Sequence, residues 1–353
     1  MPPWSVHPQG ALHALGSRIL FYFEGFTQAK NPAAPDSNED RIVAVPGRLY
    51  AVIDGATDLS GLRYDDRLGH GATGGHLAAQ AVAEALAIAG AGAFAALPDP
   101  VALVTALNGA IAACYERIGI AAAEIHSGRQ RFRAAFSAAL IAGDTMRLIA
   151  VGDCSIRING RPVLDHHFPG DTVLSKARAA AWVCLSAKGL DTDTIRPLAR
   201  QFIVEGPASA APPSPLTDAD VAAILAEVHA DAMVLAACGN DVSQIDFILG
   251  AGLEGIRANP AAFDAAALDG VTDASTAIRT LDVPIAAVET LELSSDGYPA
   301  QPDAVNIAAW EAALAHADLT DPDRIGAYPS TKGRHGITFG DDRSILIIYA
   351  GKR

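Results

Sequence analysis

The sequence predicts an α+β domain built on antiparallel sheet, and three observations carry that expectation. Short apolar runs rich in β-branched residues end at turn dipeptides in both halves of the chain. Two helical stretches follow one another between those runs, each with an apolar face that needs a sheet to cover. Half of the 353 residues are apolar against 19% charged, enough to bury a sizeable core in one large domain or two small ones.

The elements follow in order. Leu20 to Phe26 and Arg41 to Val45 read as short strands, and Leu49 to Ile53 as a buried strand that stops at Asp54-Gly55. From Thr73 to Ala89 a helix is expected: His76, Gln80 and Glu84 form a polar stripe at four-residue spacing, while Leu77, Ala81, Val82, Ala85 and Leu86 fill the other side. Asp99 as N-cap and Pro100 at the first position open a second helix, with Val104, Leu107, Ile111, Cys114 and Ile118 along one face. Phe136 to Ala142, Met146 to Val151 and Ser155 to Asn159 read as consecutive antiparallel strands, turned at Gly143-Asp144 and Asn159-Gly160. Thr172 to Asp231 is largely helical, broken at Gly206 to Pro215 and restarted by the N-cap Thr217. Ala237 to Ala274 shows no assignable pattern. Strands near Ser275 to Thr280 and Val288 to Leu293, a helix carrying Ile307, Trp310 and Leu314, and a strand from Ser344 to Tyr349 complete the chain.

Charge excludes some partners. The net charge of −14 repels nucleic-acid phosphates and anionic lipid, so neither a nucleic acid nor a membrane is an expected partner. The first residues carry no basic region followed by an apolar run, and the apolar stretches Ala85 to Leu97 and Pro100 to Tyr115 are too short to span a bilayer; a cytoplasmic location is expected. Cys114, Cys154, Cys184 and Cys238 are far apart, which makes disulfide and zinc frameworks poor readings.

Three acidic positions stand at the ends of apolar strands. Asp54-Gly55 ends Leu49 to Ile53, Asp296-Gly297 follows Leu291 to Ser295, and Asp341-Asp342 precedes Ser344 to Tyr349. Any one reads as a turn, and Asp269-Gly270, with no strand before it, shows how common the dipeptide is. Repetition at strand ends is the signal, because one sheet edge brings such carboxylates together. Three carboxylates converging without basic partners repel one another unless hard cations intervene, and oxygen-only ligation favours Mg²⁺ or Mn²⁺ over zinc.

The order of motifs resembles the metal-dependent protein phosphatase family (PPM), the type 2C serine/threonine phosphatases, in a bacterial form. The matching pieces are Asn38-Glu39-Asp40-Arg41, Asp54-Gly55, Gly74-Gly75 opening a helix, Val151-Gly152-Asp153-Cys154 in a hairpin strand, Ser295-Asp296-Gly297 and Asp341-Asp342-Arg343-Ser344. The resemblance implies a four-layer α-β-β-α sandwich of two antiparallel sheets flanked by helices. It implies a single domain over residues 1–353, with a variable flap or insert at about 161–285, and a metal-dependent phosphoric monoester hydrolase whose nucleophile is a metal-bridged water. Two Mn²⁺ or Mg²⁺ ions, or three, are the implied cofactors. Asp54, Asp296 and Asp341 are then the catalytic metal ligands together with the Gly55 carbonyl. Glu39 and Asp40 act through bound waters, and Asp153 with Asp296 holds the third ion. A phosphorylated protein is the implied substrate; a small phosphoester, and a silent member that binds a phosphorylated partner, are the alternatives.

The sequence departs from that pattern in two places. Ala56 stands where many members carry a histidine able to protonate the leaving group, which leaves His70 and His76 as candidates. Pro35 occupies the place of a phosphate-binding arginine, and Lys332 and Arg41, with Lys30 and Arg334 behind them, are the cations left for that role. The tandem His166-His167 are expected to point to opposite sides.

Overall fold

Antiparallel pairing organises the molecule, as the turn dipeptides require. The computed structural model describes residues 19–56, 59–64, 71–92, 94–210 and 214–352. In chain order it gives β1 (Ile19–Gln28), β2 (Arg41–Val45), β3 (Leu49–Ala56), α1 (Gly74–Ala91), α2 (Pro100–Ile118), α3 (Ala122–His126), β4 (Arg133–Ala142), β5 (Thr145–Val151), β6 (Ser155–Ile158) and β7 (Arg161–Leu164). A helical stretch follows: α4 (Pro169–Ala187), α5 (Thr192–Val204), α6 (Asp218–Ala230), α7 (Ala232–Ala237) and α8 (Val242–Ala258). The chain then returns to β8 (Arg279–Pro284), β9 (Thr290–Ser294), α9 (Ile307–Thr320) and β10 (Arg343–Lys352).

The strands form two five-stranded antiparallel sheets, one ordered β2-β3-β4-β5-β8 and the other β1-β10-β9-β6-β7. Between them lie Tyr50, Val52, Met146 and Leu148 from the first and Ile156, Leu291, Leu293, Leu346 and Ile348 from the second. Each fully buried Leu, Ile or Val there contributes about 1.5–3 kcal/mol. The outer face of the first sheet (Leu49, Ala51, Ile53, Leu140, Ile149) is covered by α1 and α2 through Leu77, Val82, Leu86, Leu107 and Ile111. On the outer face of the second, Ile345 and Ile347 pack under Trp310 and Leu314 of α9. The expected four-layer α-β-β-α sandwich is the observed architecture. Helices α4 to α8 hold a separate core of Leu174, Trp182, Ile195, Phe202, Ile245 and Ile248.

Three sequence expectations are corrected. The strands 136–159 are not one antiparallel run: β5 and β6 lie in different sheets, and the chain crosses at Gly152-Asp153-Cys154, so these residues are not part of a hairpin strand. Gly152 makes the crossing with φ +87°, and a Cβ there would meet Cβ of Ala135 at 2.5 Å. The strand placed at Ser275 to Thr280 is instead a 3₁₀ turn at Ser275–Ala277 followed by β8, an edge strand whose partly exposed side chains give it no apolar run. Helix α2 runs 19 residues and by length and composition is long enough to cross a membrane, contrary to the sequence reading; here it packs its Val104, Leu107 and Ile111 on α1 and the sheet.

Candidate functional site

Antiparallel register brings the acidic motifs to one end of the sandwich. β3 runs toward that end and stops at Asp54, while β2 starts there, with Arg41 opposite Ile53 and Glu39-Asp40 just before it. β9 finishes there and leads into Ser295-Asp296, beside the start of β10 after Asp341-Asp342, since Ile345 pairs with Ser294. The crossing between sheets delivers Asp153, because Val151 pairs with Phe136 and Ser155 with Ser294. Asp40 and Asp54 thus come from one sheet and Asp296 and Asp341 from the other. One hydrogen bond joins them, Ser295 Oγ donating to Asp40 Oδ2 at 2.7 Å, and the Asp54 and Asp296 carboxyls are close enough to repel one another when both are charged.

Asp54, Gly55, Asp153, Asp296, Asp341 and Lys332 line one cavity of about 150 Å³. Its floor depends on the absence of two side chains. A Cβ on Gly55 would lie 2.3 Å from the Gly75 carbonyl oxygen and 2.7 Å from that of Glu39, and one on Gly75 would lie 2.7 Å from the Ala56 carbonyl oxygen. The end of β3 can therefore lie against the first turn of α1 only with glycine on both sides.

The carboxylates are not without basic partners, as the sequence reading supposed. Lys30, just past β1, places Nζ 2.7 Å from Glu39 Oε2 and 3.2 Å from Asp342 Oδ2, and its own N–H donates to Asp342 Oδ1. Lys332 Nζ donates to Asp341 Oδ2 at 2.7 Å. Glu39 also accepts from Thr73 Oγ1, the N-cap of α1, so it sits at the positive end of that helix.

The electrostatics separate the carboxyls. Burial, then Asp296, Asp40 and Asp153, hold the Asp54 carboxyl well above the usual carboxylate range. Burial and Asp342 do the same to Asp40, whose Oδ1 is buried without a hydrogen-bond partner among the described residues. Asp296 is pushed up to about 7 by the protein crowding it and by Asp153 and Asp341, although water reaches its carboxyl and screens part of that push. Burial would also raise Asp341, but Lys332 and Lys30 outweigh it and leave that carboxyl below its ordinary value.

The other sequence candidates lie elsewhere. Arg41 is not brought to the cavity: it donates to the carbonyls of Asn38 and Asp40 and to Gln80 Oε1, and meets His76 Nε2 at 2.7 Å. Arg41 and His76 line a separate groove between the β2 approach, α1 and α2. Arg334 faces Phe339 and Asp318, and His70 lies outside the described residues. The tandem histidines both line a cleft that adjoins the cavity; His166 lines the cavity as well, and His167 is exposed beside Asp165.

Four lining residues had no sequence signal that singled them out. Asp171 is in the first turn of α4, which starts at Pro169, three residues earlier than the sequence reading placed it; the protein crowding it, Asp153 and Asp296 push its carboxyl up to about 8, although the side chain is exposed and water screens part of that push. Arg133 opens β4, and Arg200 and Arg257 reach the cavity from α5 and α8.

Among the described residues no three acidic, histidine or cysteine side chains stand at the spacing of a closed chelate. Lysine ammonium groups instead hold Glu39, Asp342 and Asp341. The donor set nonetheless fits a hard divalent cation: it is oxygen only, its charge exceeds what two lysines offset, and the buried Asp40 Oδ1 lacks a hydrogen-bond partner among the described residues.

No family model and no curated protein matches the chain. Solved structures similar to it include the Mycobacterium tuberculosis serine/threonine phosphatase PstP/Ppp, with 16% identity, 94% of this chain and 98% of that one covered, and a TM-score of 0.42. The PstP catalytic domain in complex with two manganese ions is 15% identical over 94% of this chain and 99% of that one, TM-score 0.43. The Staphylococcus aureus serine/threonine phosphatase Stp1 is 12% identical over 97% and 98%, TM-score 0.44. At these identities and TM-scores the likeness carries no weight for function, and the chemistry rests on the side chains in the cavity.

Proposed function

We propose that the protein is a metal-dependent phosphoric monoester hydrolase of the PPM kind, acting on phosphoserine or phosphothreonine in polypeptides. The observation that carries this reading is the convergence of Asp54, Asp153, Asp296 and Asp341, from both sheets, on one cavity. Asp54, the Gly55 carbonyl, Asp296 and Asp341 would hold two Mn²⁺ or Mg²⁺ ions, with Asp153 and Asp296 available to a third. Bound there, the cations would supply Lewis-acid stabilisation of phosphoryl charge and a lowered pKa for water.

The chain's own groups do the rest. Lys30 and Thr73 fix Glu39 behind the site, and Ser295 fixes Asp40. His166 and Asp171 line the cavity and are the groups able to hold a proton for the leaving oxygen, in place of the histidine missing after Gly55. A cleft of about 590 Å³ shares Asp153, Phe168, Asp296 and Asp341 with the cavity and continues past Tyr298 and Tyr328, room that suits a polypeptide on the phosphoryl group. The small cavity itself would also admit a compact phosphoester.

The test is hydrolysis of p-nitrophenyl phosphate and of a phosphothreonine peptide with Mn²⁺, with EDTA, and by Asp54→Asn. Metal-dependent turnover that vanishes in the variant is expected, with the peptide favoured. Folded, Mn²⁺-binding protein that turns over neither compound would overturn the reading.

A further inference from the structure

The cations that reach the carboxylates from outside the helical stretch are already committed. Lys332 is bonded to Asp341, and Lys30 to Glu39 and Asp342. Arg41 lies in the separate groove. Arg133 is buried and donates to the Ala265 carbonyl. Arg200 differs: among the described residues its one recorded hydrogen bond is Nη1–H to the Thr331 carbonyl at 3.1 Å. A guanidinium carries five N–H donors in a rigid fork, so most of this one is left to the cavity it lines with Arg257.

Helix α5 aims Arg200 there. The helix is capped by Asp191, whose Oδ1 accepts from Thr194 N, and Arg196, one turn before Arg200, lies over the Trp182 ring and reaches Asp323. The same face of α5 thus meets the 323–331 loop at both positions. At roughly 30 Å³ per water, the cavity has room for about five waters, the scale of a phosphoryl group with part of its hydration.

We propose that Arg200 is the phosphate-binding residue of the site, with Arg257 beside it, so that the helical stretch and not the N-terminal strands supplies the anion clamp. The inference rests on the phosphatase reading for the identity of the anion, a phosphomonoester dianion. A planar fork can take two phosphoryl oxygens at once, which a lysine ammonium cannot.

The experiment is calorimetric titration of the protein with inorganic phosphate, with and without Mn²⁺, for wild type, Arg200→Ala, Arg200→Lys and Arg257→Ala. The KM and kcat for p-nitrophenyl phosphate and the Mn²⁺-induced melting shift are measured on the same samples. Arg200→Ala should weaken phosphate about 10- to 100-fold and raise KM in step, with the Mn²⁺ shift unchanged. Arg200→Lys, which keeps the charge without the fork and guards against misfolding of the alanine variant, should recover only part of the loss. Wild-type phosphate affinity in both Arg200 variants, or no phosphate binding by wild type, overturns the clamp. Phosphate binding that depends on Arg200 in a protein without turnover upholds the clamp and removes the phosphatase reading; turnover with unchanged KM in the variants does the reverse.

Discussion

The two kinds of charge in the cavity come from two kinds of structure. The carboxylates hang from strand ends, where register across the paired sheets fixes them and a slip of one residue would turn them to the other face. Arg200 and Arg257 belong to helices with a core of their own, and reach the site only because that core docks on the 323–331 loop. Arg178 makes much of that docking: buried over Trp182, its Nη1 lies 2.9, 3.2 and 3.0 Å from the carbonyls of Asp323, Arg324 and Ser330. Metal affinity should therefore follow the sheets, and anion affinity the helices.

The largest expected effect falls on the strand-end side. Asp54→Asn should lower kcat by about 10³-fold or more, the scale of several kcal/mol of lost transition-state stabilisation, while phosphate affinity measured without metal stays put. Equal loss of both would break the division. Next comes Arg178→Ala, which leaves three carbonyls, one buried and two partly buried, short of a donor. It should cost about 2–4 kcal/mol in urea unfolding and raise KM without changing Mn²⁺ affinity; an unaltered midpoint would mean the loop holds its place without the helices. Arg41→Ala removes the support behind Asp40 and should weaken Mn²⁺ by about tenfold with KM for substrate at saturating metal unchanged, the mirror image of Arg200→Ala.

The smallest effect is a pH dependence. In the metal-free fold Asp54 stays protonated well above its ordinary range, and Asp296 and Asp171 up to about 7 and 8. The unfolded chain loses those protons near pH 4. Across this interval the folded state binds more protons, so its stability falls as pH rises. Mn²⁺ competes with the same protons, and the melting-temperature gain at fixed Mn²⁺ should widen between about pH 5 and pH 8. A gain that does not change with pH would place the ion away from these carboxyls.

The same contrast explains what could be read from the chain alone. Asp54, Asp296 and Asp341 were legible because apolar runs mark strand ends, and strand ends of antiparallel sheets gather. Asp153 was found by motif but put in a hairpin, since nothing in Val151 to Ser155 tells a tight turn from a crossing between sheets. Asp269-Gly270 is what its lack of a preceding strand suggested, a buried turn whose Oδ1 accepts from the Val271 and Thr272 amides. Arg200 and Arg257 were invisible because a helix arginine looks alike whether it meets solvent or a site. Helix α8 itself escaped notice: Gly250, Gly252 and Gly255 blur its periodicity, and the chain kinks at Gly252.

The seam between the sheets at Asp40–Ser295 and Asp54–Asp296 has a mechanical consequence. No two of Cys114, Cys154, Cys184 and Cys238 are joined, so no disulfide stitches the layers together. Cations gripped from both sides would act as rivets at one end of the sandwich, while the end at Gly143-Asp144 and Asn159-Gly160 stays held by packing and by hydrogen bonds such as those of Ile285 N–H to the Asp144 carbonyl and Asn159 Nδ2–H to the Ala287 carbonyl. Metal loading should then appear in amide exchange as a polarity: the backbone around Ile53–Gly55 and Leu293–Ser295 stiffens together, and the far turns exchange as before.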